Sequence, residues 1–258
     1  MLSTTFLITV LVTLISLTAA HDGHSDASPY TLTDDLSYKN FFDGFDFYDG
    51  PDPTKGFFKY QNQEYAIKQN LVGYLEDTQS VFMGVDYTTK DTAGRASVRL
   101  ESKKSWNHGL MIADIRHMPS SECGSWPAMW LLSSSDKWPM GGEIDILEGV
   151  NDYTSNSVTL HTSKGCMVDN STSGAVSGGT SMADAPFSGT MSTDDCGVKA
   201  PGQGENVGCS IHAPDSMSGV QMGGTDNAAI PLSTYGTDYN KAGGGIYATE
   251  WTEKSISV

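Results

Sequence analysis

The sequence predicts an all-β protein: two stacked antiparallel sheets, with one face free to form an open cleft. Three observations carry this. Apolar and polar residues alternate with period two in several short segments. Other short apolar runs are bounded by Gly, Pro or Ser, as strands are. Beyond the first twenty residues, no stretch of twelve or more carries a helical period. The 28 glycines among 258 residues suit many strands joined by turns. Composition narrows the partners too: 15 basic against 31 acidic side chains leave a net charge of −16. Binding to nucleic acid needs clustered Lys and Arg, so nucleic acid is excluded as a partner. The same charge disfavours an anionic lipid surface.

Taken in order, residues 1–20 are expected to be a secretory leader. Phe6 to Leu17 is apolar apart from Thr9, Thr13 and Ser16, and the small residues Thr18-Ala19-Ala20 follow. The run is shorter than the roughly 20 residues a membrane span needs, so no membrane association is expected once it is removed. Residues 21–258 then form a single domain, since no linker or repeat interrupts the chain after Tyr30. Val98 and Leu100 alternate with Ser97, Arg99 and Glu101. Leu110 to Ile115 and Met129 to Leu132 are apolar runs of the kind found in buried strands, and Val158 and Leu160 alternate with Ser157, Thr159 and His161. Residues 170–195, rich in Ser, Gly, Thr and Ala, read as a long surface loop. Within it Asn170-Ser171-Thr172 is a glycosylation acceptor. Cys123, Cys166, Cys196 and Cys209 lack zinc-site spacing; in a secreted chain they are expected to form disulfides, with at least one pair among the last three. Ser255 to Val258 begins another strand-like alternation and stops.

The chemistry is concentrated in Gly141-Gly142-Glu143-Ile144-Asp145-Ile146-Leu147-Glu148-Gly149. A helix would scatter these acids, whereas a strand places Glu143 and Asp145 on one face and Ile144 in the core. Glu148 has the wrong parity for that face. One β-bulge near Ile146-Leu147 returns it there. Carboxylates so crowded cannot all ionise easily, and at least one pKa should rise. An ionised nucleophile beside a protonated acid, about 5–5.5 Å apart, is the pair that cleaves a glycosidic bond with retention. The assignment is Glu143 as nucleophile, Glu148 as acid/base and Asp145 as the assisting group between them. A calcium site is the alternative for such clustered oxygens, but calcium loops favour irregular segments over apolar strands.

Glu-Ile-Asp-Ile-Leu-Glu resembles the signature of glycoside hydrolase family 16 in its bulged, laminarinase form. Further stretches resemble secreted fungal endo-β-1,3(4)-glucanases of that family: Asn40 to Phe47, Gly94 to Lys104, Cys123 to Trp130, Leu160 to Ser163, Glu205 to Cys209 and Gly243 to Trp251. The resemblance implies a jelly-roll β-sandwich with a sugar cleft on its concave sheet, acting on β-glucan by retaining double displacement. It carries the nucleophile onto Glu143, the assisting acid onto Asp145 and the acid/base onto Glu148. It also places sugar-stacking residues at Trp130, Trp138 and Trp251 and a cleft histidine at His161, while Trp126 and Trp106 are left as structural. A monomer needing neither cofactor nor metal is expected, outside the cell or in its wall. The family pattern continues by several strands past Trp251 and the chain by seven residues, so C-terminal strands are expected to be missing and stability to be low. Three other readings remain: a non-catalytic β-glucan-binding protein, a cell-wall transglycosylase on the same fold, and a copper site at His21.

Overall fold

A computed structural model describes residues 30–134, 136–168, 189–214, 216–217 and 230–258. The expected leader, His21 and the Asn170 acceptor lie outside these residues. Contacts divide the chain into a segment ending at Asp34 and a body from Asp35 to Val258. In the segment, the Thr33 hydroxyl donates to the Asp34 carboxylate at 2.9 Å. All elements below belong to the body.

The fold is a β-sandwich of curved antiparallel sheets, as the alternation predicts. The larger sheet has five strands in the order Thr190–Thr193, Cys209–His212, Ser157–His161, Glu143–Glu148 and Ala128–Leu132. A second sheet pairs Gly245–Trp251 with Gly109–Ile115 over seven residues and with Ile256–Ser257 at its edge. Short two-stranded pairs join Phe45–Phe47 to Leu100–Ser102, Lys59–Tyr60 to Ala96–Ser97, and Val72–Leu75 to Ser80–Met83. Among the described residues helix is confined to Gln63–Lys68, Gly236–Lys241 and two short 3-10 turns. The first helix is capped by the Asn62 side chain, which accepts from the Tyr65 N–H. Among the described residues no helix is long and apolar enough to cross a membrane.

Among the described residues two buried clusters hold the body together. One gathers Phe42, Ala66, Leu71 and Val72, with Val98 and Leu100 packed on it, so the alternation around Arg99 directs its apolar residues inward. The other joins the two main sheets: Leu147 and Met129 of the larger meet Ile115 and Tyr247 of the smaller, with Met118, Tyr235 and Tyr239 between them. The Leu110–Ile115 run is not buried on both faces as expected. Ile112 is 63% exposed and Ile246, on the neighbouring strand, 68%. An apolar run cannot declare which face is covered, and here only the Met111, Ala113 and Ile115 side faces protein. Of the four cysteines, Cys196 and Cys209 form a disulfide, while Cys123 and Cys166 are free and exposed.

Candidate active site

The Glu143–Glu148 strand is placed by what lies at its two ends. Before it, a tight turn closes with the Gly142 N–H donating to the Pro139 carbonyl at 3.0 Å. Gly142 adopts φ +77°, a region costly for any residue with a Cβ. After it, the Tyr235 hydroxyl donates to the Gly149 carbonyl at 2.8 Å. The approach is so close that a Cβ on Gly149 would stand 2.4 Å from the tyrosine ring. The flanking glycines are therefore required by geometry at both ends.

Between those ends lies the bulge that the parity of Glu148 demands. Asp145 pairs with Trp130 and Leu147 with Met129, so Ile146 has no partner on that side. Ile146 and Leu147 both turn into the core, at 0% and 3% exposure. Each contributes roughly 1.5–3 kcal/mol by burial, which holds the bulge in this sense. Glu148 is thereby returned to the face carrying Glu143 and Asp145. On the other side the ladder runs His161 to Glu143 and Thr159 to Asp145. Beyond Asp145 the Asn156 side chain takes over, accepting from the Glu148 N–H at 2.9 Å and donating to the Ile146 carbonyl at 2.8 Å.

Each acid has its own donor. The Trp138 indole N–H donates to Glu143 at 2.6 Å, and the Trp126 indole N–H donates to Glu148 at 2.8 Å. His161 Nε2 lies 3.1 Å from an Asp145 oxygen, with both side chains buried. Burial pushes the pKa of Glu143 above the usual carboxylate value, and the charge of Asp145 adds to this; Trp138, His161 and Arg99 pull the other way. Burial and Asp145 also raise Glu148, where Trp126 and His161 oppose them and Glu143 adds a further upward push. Arg99 assists ionisation of Glu143, while the repulsion between Glu143 and Glu148 acts on both. Burial works against charge on His161, but its bond to Asp145 and the attraction of all three acids outweigh this and raise its pKa. The arrangement suits one acid giving up its proton more readily than the other.

Trp130 joins this face opposite Asp145, with the Arg99 guanidinium 5.1 Å above its ring. Trp138 and His161 lie on it as well. Trp251 ends a strand of the smaller sheet, edge-on to His108 at 5.2 Å. Asn170 is outside the described residues. Three residues join the site that the sequence reading left out. Trp126, taken as structural, binds Glu148; its offset of four from Trp130 was the available signal. Arg99 stands opposite the core residues Val98 and Leu100 in the alternation. Asn156 carried no signal, because its partners arise from a pairing that ends one residue away. Among the described residues no group of three His, Cys, Asp or Glu is arranged to hold a metal ion.

Residues 45–258 match the family model described as the XgeA-like, catalytic GH16 domain. A curated endo-1,3(4)-beta-glucanase of Arthroderma benhamiae is 41% identical over 233 residues, covering 90% of this chain. The chain spans 44% of that relative's length. Among solved structures, an elongating GH family 16 beta-1,3-glucosyltransferase superposes with a TM-score of 0.68 at 38% identity, covering 88% of this chain and 65% of the other. Laminarinase 16A from Phanerochaete chrysosporium, with beta-glucans in its donor and acceptor sites, gives 0.69 at 33% identity, covering 87% and 64%. With the bulged Glu-Ile-Asp-Ile-Leu-Glu strand on a sandwich of this shape and a match across five-sixths of its length, the chain belongs to glycoside hydrolase family 16.

Proposed function

We propose that the protein is a secreted, monomeric endo-acting hydrolase of β-1,3 or mixed β-1,3/1,4 glucans that works by retaining double displacement. The observation that carries this is the bulge, which sets Glu143 and Glu148 on one face with a different indole donating to each. Glu143 attacks the anomeric carbon while Glu148 protonates the departing glycosidic oxygen. A glycosyl ester on Glu143 results. Glu148, now ionised, takes a proton from water as it attacks the same carbon, and configuration is retained. Asp145, held by His161, lies between them on the strand and orients the nucleophile. Trp130 and Trp138 offer flat apolar faces to the pyranose rings, and Trp251 is assigned a further stacking position.

The experiment is hydrolysis of laminarin and barley glucan by the wild type and by Glu143→Gln, with the product linkages analysed. Reducing ends released by the wild type and lost in the variant support the proposal; a protein that binds these glucans without turnover contradicts it. A second reading, sugar transfer rather than hydrolysis, is favoured by the 38% identity to an elongating glucosyltransferase. It uses the same glycosyl ester, with a sugar hydroxyl in place of water. Products longer than the starting oligosaccharide would mark it.

A further inference from the structure

We propose that Asn156 is the positioning residue that fixes the bulge and so aims Glu148 at the glycosidic oxygen. The proposal rests on the assignment of Glu148 as acid/base. A bulge leaves backbone groups without ladder partners and makes a strand locally soft. Here the softness would fall on the residue whose carboxyl must be placed to a fraction of an ångström. The regular pairing with Ser157–His161 ends at Thr159 opposite Asp145. That leaves the Ile146 carbonyl in need of a donor and the Glu148 N–H, on the other side of Leu147, in need of an acceptor.

The Asn156 amide supplies both, at 2.8 and 2.9 Å. A carboxamide carries a donor and an acceptor at fixed separation, as a peptide group does; a carboxylate or a hydroxyl offers a different set. The side chain is a stand-in for the missing rung. Asn156 is itself anchored: its N–H donates to the Thr234 hydroxyl at 2.9 Å and its carbonyl accepts from the Ala213 N–H at 2.8 Å. At 3% exposure, no water competes for its amide. With Tyr235 holding the Gly149 carbonyl and Trp126 the carboxylate, the backbone of Glu148 is fixed on both sides and its head group at the tip. Such support keeps a reacting group in its productive geometry without reorganisation.

A merely structural asparagine and a positioning one differ in what their loss does to the acid step. The test compares kcat/KM for two aryl β-laminaribiosides, one with phenol and one with 2,4-dinitrophenol as leaving group. Phenolate needs a proton as it departs; dinitrophenolate does not. In Asn156→Ala, kcat/KM for the phenyl substrate is expected to fall about 100-fold, the scale of a displaced general acid. The dinitrophenyl value is expected to stay at that of the wild type, and azide should restore turnover limited by the ester. The ratio of the two substrates is independent of how much protein is folded. Asn156→Asp keeps the acceptor for the Glu148 N–H and the size of the side chain, and carries the same test if the alanine variant is insoluble. Equal losses on both substrates, or no loss on the phenyl substrate, would overturn the proposal. Glu148→Gln separates the two levels. If it shows the leaving-group dependence and the Asn156 variants do not, the positioning role alone is wrong; if it shows none, the acid/base assignment falls as well.

Discussion

Replacing Trp126 by phenylalanine removes one hydrogen bond from Glu148 and leaves a ring of similar shape beside Phe58. The indole N–H stabilises the ionised carboxylate, so its loss must raise the pKa of Glu148 further above its ordinary value. A hydrogen bond to a charged acceptor is worth about 1.5–3 kcal/mol, and each pKa unit about 1.4 kcal/mol. Trp126 is 44% exposed, so water can replace part of the bond, and the expected shift is about one unit. In the proposed mechanism Glu148 must be protonated to act as acid, so the alkaline limb of kcat/KM against pH should move up by that amount. Trp138→Phe provides the contrast: its indole donates to Glu143, which must be ionised, so there the acid limb should rise. The assay is the pH profile of kcat/KM on a laminari-oligosaccharide, whose limbs report the coupled carboxylates of the free enzyme. An alkaline limb that stays in place or moves down in Trp126→Phe would refute the reasoning.

Four further outcomes are expected. Gly149→Ala forces a Cβ to within 2.4 Å of the Tyr235 ring, and overpacking of this kind costs about 1–3 kcal/mol; a calorimetric Tm equal to that of the wild type would contradict it. Thiol titration of the unreduced, denatured protein should find Cys123 and Cys166 but neither Cys196 nor Cys209. Reduction of that pair, 13 residues apart, should lower stability by about 3 kcal/mol on the loop-entropy scale. The His161–Asp145 pair should be sensitive to pH. The folded pKa of His161 is raised above 6.5, so the contribution of its charge is fully present below that value and is lost as pH rises through the folded pKa. Denaturant unfolding of the wild type and His161→Gln should therefore give a gap that narrows with rising pH; a gap that widens would show the sign to be wrong.

Much of this was legible from side-chain period alone, because a strand with one buried face cannot hide its alternation. Ser97 to Glu101 is such a segment, and the parity conflict at Glu148 was enough to require a bulge at Ile146-Leu147; in Ser157 to His161 the period holds but the polar side is the more buried. What escaped depends on contacts distant in sequence. Leu110 to Ile115 appears continuous whether one face or two are covered, and only the sheet stacking leaves Ile112 outside. Four cysteines allowed three connectivities, and only the fold brings Cys196 to Cys209. Trp126 and Asn156 act through single polar atoms, and hydrogen-bond partners are set by three-dimensional register rather than by residue type.

The central claim, a glycosyl ester on a glutamate delivered by one bulged strand, can be tested by trapping that ester. A 2-deoxy-2-fluoro laminaribioside with a dinitrophenyl leaving group slows release of the intermediate more than its formation, and peptide mass spectrometry then locates the sugar. The expected result is one added disaccharide on the peptide bearing Glu-Ile-Asp-Ile-Leu-Glu, at Glu143. A label at Asp145 or Glu148, or an active enzyme that takes up no label, would contradict the account.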